Sequence, residues 1–310
     1  MSRRILVTGG SGFIGAAIVK RLVLNGFEVR VLDDNSRGSL DRLSKVIGSV
    51  EFIEGSIEDY KVLRNSCREI DSVIHLAYIN GTKNFYDRPG DVLDVAIRGM
   101  INLADAMKDN SVKNLTVASS SEVYQEPGVF PTPEEVPMVV PELHNPRYSY
   151  GLGKIVQEFY GMHAMSFLEN FKIFRPHNIY GPNMGKLHVV PQIIEKIEIA
   201  MQNDSFVTIE GDGSNTRSFC YIDDFVDAFD LVHQLGIHKN VYNIGTPYEM
   251  SIMDLVKVIA AQLGYTGEIK NSHSPAGGTS RRVPDLTKIN ALGYSPSISI
   301  ERGIKLCING

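Results

Sequence analysis

The sequence predicts an α/β fold: a doubly wound parallel sheet of the dinucleotide-binding kind, followed by a smaller C-terminal α/β domain. Three observations predict it. Short apolar runs alternate with helical patterns through the first half, as a parallel sheet covered on both faces requires. A glycine-rich turn lies between the first apolar run and the first helical one. After Pro176 the pattern changes to turn-rich pieces separated by shorter helices and strands.

The candidate strands are residues 4–8, 28–32, 50–54, 72–76, 114–119 and 171–175, with helical stretches at 13–24, 92–108 and 149–168 between them. Turns are expected at 180–183, 210–215 and 274–278, where Gly, Pro, Asn and Asp cluster. The expected division is 1–175 for the dinucleotide domain and 176–310 mainly for the substrate, with 216–245 returning to the first domain. The substrate cleft then lies between them, over the carboxyl ends of the strands.

Composition narrows the function. With 31 Lys and Arg against 36 Asp and Glu, the chain is net acidic and has no basic cluster to track a nucleic acid. No apolar run reaches the ~18 residues of a membrane span. The apolar run 5–8 is too short for a signal-peptide core, so a cytoplasmic location is expected. Cys67, Cys220 and Cys307 lie far apart, which favours reduced thiols over a disulfide framework. The eight histidines have no metal-ligand spacing, so no metal is expected; His75 reads as a structural histidine at a strand end.

Gly9, Gly12 and Gly15 follow the first strand and open a helix, a variant of the dinucleotide fingerprint. Glycine lets the backbone approach a pyrophosphate, and the helix N-terminus offers free N–H groups. Asp33 ends the second strand, where a carboxylate bonds ribose hydroxyls and repels a 2′-phosphate; this favours NAD over NADP. Arg37 nearby could tolerate such a phosphate. Tyr150 and Lys154 are four apart on one helical face, so a lysine ammonium can lower the tyrosine pKa and make it a general base. Upstream, Ser119, Ser120 and Ser121 end the fifth strand; they either face the cofactor or simply cap the strand.

These motifs, with His75-Leu76-Ala77, Arg175-Pro176-x-Asn178 and Arg281-Arg282-x-Pro284-Asp285, resemble the extended short-chain dehydrogenase/reductase family of nucleotide-sugar epimerases and dehydratases. The resemblance covers nearly the whole chain. It implies hydride transfer from C4 of a nucleotide-diphosphate sugar to NAD, with Tyr150 as base, Lys154 on the nicotinamide ribose and Ser120 on the reacting oxygen. It also implies cofactor contacts from Phe13, Ile14, Asn35, Ser56, Ile57, Leu76 and Ala77. Asn178, Arg217 and Arg281 would hold the substrate's diphosphate or nucleotide, with Arg282 able to replace Arg281. The counterparts of 92–108 and 149–168 pair across a two-fold in the family, so a homodimer or higher homo-oligomer is expected.

The expected reaction is that of a 4-epimerase or 4-dehydrogenase serving glycan or polysaccharide precursor synthesis. Glu122 opens an alternative, because Ser120-Ser121-Glu122 resembles the Thr-Ser-Glu of GDP-mannose 4,6-dehydratases and UDP-glucuronate decarboxylases. There the Glu takes the C5 proton in dehydration; here it could equally cap a loop. A non-catalytic NAD-binding regulator is the remaining class, and the presence of both Tyr150 and Lys154 speaks against it. Ser56 and Ala96 stand where the family usually has Asp and Asn.

Overall fold

A computed structural model describes residues 3–272 and 278–310. Of the turn expected at 274–278, all but Gly278 lies outside the described residues. Six parallel strands occupy the predicted segments: β1 Arg4–Thr8, β2 Glu28–Asp33, β3 Val50–Glu54, β4 Ser72–His75, β5 Asn114–Ala118 and β6 Asn170–Pro176. A seventh, Asn240–Ile244, pairs parallel to β6, which the list of candidate strands lacked. The order across the sheet is β3-β2-β1-β4-β5-β6 and then Asn240–Ile244. Ile5, Leu6 and Val7 are all fully buried, because helices cover both faces of a parallel sheet.

The chain steps outward from β1 through β2 to β3, then crosses back to β4 on the other side of β1 and steps away in the opposite direction. At that reversal the strand ends part and leave a crevice. Thr8 of β1 pairs in register with Leu32 on one side and His75 on the other, so three loops leave the sheet at one level.

The helices follow the apolar periodicity. Helix α1 (Phe13–Leu24) buries Ala16, Ile18, Val19 and Leu22 on one face. Next come α2 (Tyr60–Ser66), α3 (Thr82–Asp87), α4 (Pro89–Asp109) and α5 (Ser149–His163). Helix α4 starts three residues before the expected position, with Pro89 in its first turn, where a missing N–H costs nothing. Helix α5 stops at His163 rather than 168, because Met165 and Leu168 turn inward and are buried. One apolar core lies between the sheet and α1, α6 (Val189–Gln202), α7 (Ile222–Leu235) and α8 (Ile252–Leu263); the other lies on the opposite face beneath α2 and α4.

Beyond β6 the chain builds small sheets over the crevice. Thr216–Ser218 is flanked by Glu249–Ser251 and Arg281–Arg282. That sheet carries the three arginines Arg217, Arg281 and Arg282.

Candidate active site

The crevice opens into a cleft of about 610 Å³ at the strand ends. Its floor begins with the glycine loop. Gly9 has φ +73°, and a Cβ there would lie 2.6 Å from the backbone nitrogen of Ala77. A Cβ on Gly15 would overlap the carbonyl oxygen of Gly9, so the helix meets the loop only without a side chain. Gly12 caps α1 with no side-chain hydrogen bond, which leaves the first-turn N–H groups free for an anion. This cradle fits a dinucleotide pyrophosphate.

Gly9, Gly12, Phe13, Ile14, Gly15, Asp33, Ser56, Ile57, Leu76 and Ala77 all line the cleft. Asp33 is buried, and its two oxygens accept from the backbone N–H groups of Ser11 and Asn35, each at 2.9 Å. The carboxylate therefore shapes the loop as well as facing the cleft. Asn35 lies behind this wall at φ +54°, its side-chain oxygen accepting from the Ser11 hydroxyl at 2.8 Å. The loop around Ser56 and Ile57 is held by Asn102 of α4, whose amide donates to the carbonyls of Ile57 and Glu58.

Ser120, Glu122, Tyr150 and Lys154 face the same cleft from β5 and α5. Helix α5 is clamped to β6 by a fully buried ion pair between Glu158 and Arg175, bonded at 2.6 and 2.8 Å. Tyr150 is 7% exposed, stacked on Phe85 and edge-on to Tyr78. Burial pushes its phenol up to about 12, while the Ser120 hydroxyl and the cations Arg282 and Arg37 pull the other way. The sequence leads one to expect a phenol lowered by Lys154; in the structure desolvation wins. The same burial takes the Lys154 ammonium down to about 7.

Lys154 donates to the carbonyl of Ala118 at 2.8 Å and to Gln157 Oε1 at 3.1 Å. Gln157 Nε2 lies 3.3 Å from His75 Nε2, and His75 Nδ1 lies 2.8 Å from Thr8 Oγ1. An amide nitrogen only donates, so His75 accepts at Nε2 and its hydrogen sits on Nδ1, toward Thr8. Burial keeps this imidazole neutral, its pKa pushed down to about 3.

The arginines divide. Arg281 points away from the cleft and pairs with Glu249 at 2.7 Å, while Arg282 lines the cleft and pairs with Glu122 at 2.9 Å. Successive strand residues face opposite sides, so only one of the two can turn inward. Arg217, in register with Arg282, donates to the carbonyls of Thr216, Thr279 and Ser280 and is not among the residues lining the cleft. Burial and its arginine neighbours lower it to about 10. Asn178 lines the cleft and donates to the carbonyl of Ser218 at 3.1 Å. The arginines hold Glu122 as a carboxylate, its pKa lowered despite burial. Tyr78 and Phe85, which wall the site, carry no motif; the one signal for Tyr78 is an aromatic residue just past the end of β4, and Phe85 lies within α3.

The family model for the NAD dependent epimerase/dehydratase family matches residues 5–245. The chain belongs to that family. It is an NAD-dependent enzyme. It is 31% identical to the UDP-glucose 4-epimerase of Mycolicibacterium smegmatis, over 97% of this chain and 96% of that one. With UDP-glucuronic acid decarboxylase 1 of Xenopus tropicalis it shares 30% identity, over 99% of this chain and 72% of the relative. The crystal structure of the Thermotoga maritima UDP-glucose 4-epimerase with UDP-glucose superposes with a TM-score of 0.88 at 30% identity, covering 99% and 97% of the two chains. Among the described residues no helix is long and apolar enough to cross a membrane, and no group of His, Cys, Asp or Glu gathers around a metal position.

Proposed function

We propose that this enzyme oxidises C4 of a nucleotide-diphosphate sugar, acting in the cytoplasm as a 4-epimerase or 4-dehydrogenase for glycan precursors. One observation carries the reading: Tyr150, Lys154, Ser120 and Asn178 line one cleft with the glycine loop. Bound NAD supplies the hydride acceptor. Tyr150 takes the proton of the C4 hydroxyl, and Ser120 holds that oxygen as the charge develops. A tyrosine buried this deeply acts as a base only with cationic help, which Lys154, Arg37 and Arg282 offer. Asn178, which lines the cleft, is assigned to the diphosphate.

The fate of the oxidised sugar turns on Glu122. Paired with Arg282, it is a weaker base than a free buried carboxylate, which favours epimerisation or release over loss of a C5 proton. A second reading rests on the same pair: a guanidinium in the cleft suits a sugar bearing a C5 carboxyl, as in decarboxylation of UDP-glucuronate.

A panel of UDP-, GDP-, CDP- and dTDP-sugars, UDP-glucuronate included, is incubated in D2O with NAD while product mass and reduced cofactor are followed. An isomer without deuterium marks a 4-epimerase, and lasting NADH with a keto sugar marks a dehydrogenase. Water loss with deuterium marks a dehydratase, and loss of CO2 a decarboxylase. Turnover that survives Tyr150→Phe in full would sink the mechanism.

The proposal includes a homodimer. Ile97 and Ile101 of α4 and Phe159 of α5 are 39%, 38% and 61% exposed, and the two helices pack side by side. A second copy would bury these apolar side chains.

A further inference from the structure

Tyr78 has no part in the chemistry above, yet it touches both of its principal residues. It lies on the loop after β4 and lines the cleft. Its ring stands at 89° to that of Tyr150, with centroids 5.1 Å apart, and its hydroxyl donates to the Tyr150 carbonyl at 3.4 Å. Lys154 Nζ sits 3.9 Å from the centroid of the Tyr78 ring.

The two neighbouring helices are cut away to admit this side chain. A Cβ at Gly153 would collide with the Tyr78 hydroxyl oxygen, and it would come within 2.7 Å of the Ala96 methyl. Position 96 of α4 and position 153 of α5 thus both carry minimal side chains where the phenol is lodged. Three partners then surround the ammonium: the Ala118 carbonyl, the Gln157 amide oxygen and the face of Tyr78. The other titratable groups near it are Tyr150 and Glu158 on its own helix and His75 from β4. Glu158 is engaged by Arg175, and His75 is tied to Thr8 and Gln157. A desolvated ammonium over an aromatic face is stabilised by the ring quadrupole.

We infer that Tyr78 is a positioning residue whose ring face holds Lys154 in place and in its charged form, the space for it being made by Gly153 and Ala96. The inference deepens the reading of Tyr150 and Lys154 as the acid/base pair and rests on it. Lys154 then keeps its ammonium to a higher pH than burial alone would allow.

The test uses the full chain labelled with [ε-13C]lysine, with and without NAD; the Lys154 signal is assigned by its loss in Lys154→Arg. The Lys154 titration midpoint is expected to fall by roughly one pH unit in Tyr78→Leu, which removes the ring. Tyr78→Phe, which keeps the ring, leaves the midpoint in place. A Tyr78→Leu midpoint equal to that of the unsubstituted chain overturns the inference, and so does a Tyr78→Phe midpoint as low as that of Tyr78→Leu. Should circular dichroism find Tyr78→Leu unfolded, Tyr78→Met, which removes the ring but keeps a long flexible side chain, decides, and a midpoint equal to that of the unsubstituted chain overturns the inference. No sugar enters the titration. Lack of turnover on every nucleotide sugar would therefore remove the proposed activity alone, while an unmoved titration with normal turnover removes this inference alone.

Discussion

Glu122 Oε1 and Arg282 Nη1 meet at 2.9 Å inside the cleft, although 160 residues separate them in the chain. The pair ties the strand Arg281–Arg282 to the end of β5, across the substrate cleft. Removing one partner strands the other in a site where neither has much water, the side chains being 22% and 10% exposed. Arg282→Leu is expected to lower the unfolding free energy by on the order of 3 kcal/mol at neutral pH. The sign with pH follows from the depressed pKa of Glu122. Its contribution is present above the ordinary carboxylate value and is lost as pH falls through the lower, folded one. Urea unfolding should therefore find the two proteins converging in acid, and a constant gap down to pH 3 would contradict the assignment.

That pair also marks the limit of what was legible in the sequence. The glycine loop, six strands and the Tyr150-x-x-x-Lys154 spacing are local patterns, and local patterns are written in consecutive residues. Which of Arg281 and Arg282 turns inward is decided by pairing with Thr216 and Arg217, some 65 positions away, and no spacing along the chain reveals that. The protonation of Tyr150 was misjudged for the same reason. The desolvation that raises it comes partly from Tyr78 and Phe85, on segments that only the fold brings to α5. The strand Asn240–Ile244, five residues with Asn at 240 and 243, is too short and polar to stand out by pattern alone.

Gly15 offers a direct test of the dinucleotide cradle. Its missing Cβ lets α1 approach the Gly9 carbonyl, so Gly15→Ala must push the helix N-terminus away from the loop. Hydrogen bonds to a pyrophosphate fail when their donors shift by even part of an ångström. NAD affinity, measured by calorimetry, is expected to drop at least about tenfold, a cost of ~1.4 kcal/mol. The circular dichroism spectrum should stay that of the folded protein. Unaltered affinity would mean that the cofactor lies elsewhere.

Phe159 bears on assembly. At 61% exposure it is the most accessible apolar side chain of the α4–α5 face. A charge there would be desolvated in a dimer and harmless in a monomer. Phe159→Glu is expected to convert a dimer into a folded monomer in sedimentation velocity. An unsubstituted chain that already sediments as a monomer would refute the assembly outright.

Lys154 makes the cofactor-free protein's stability depend on pH in a direction opposite to that of a salt-bridged lysine. Burial takes its pKa from the usual 10.5 down to about 7 in the folded chain. Below about 7 both folded and unfolded chains hold the proton, and the folded one bears the full cost of a buried charge. Between about 7 and 10.5 only the unfolded chain holds it, so unfolding takes up a proton and the folded state gains with rising pH. The slope is at most ~1.4 kcal/mol per pH unit for one group. Lys154→Met has no such group. Its stability relative to the unsubstituted protein should thus be greatest near pH 6 and shrink steadily toward pH 10, as read by urea unfolding across that range. Because only the difference between the two proteins is compared, the titrations of other groups largely cancel. Curves that stay parallel would mean that Lys154 keeps its ordinary pKa, and with it that water reaches the ammonium despite its 3% exposure.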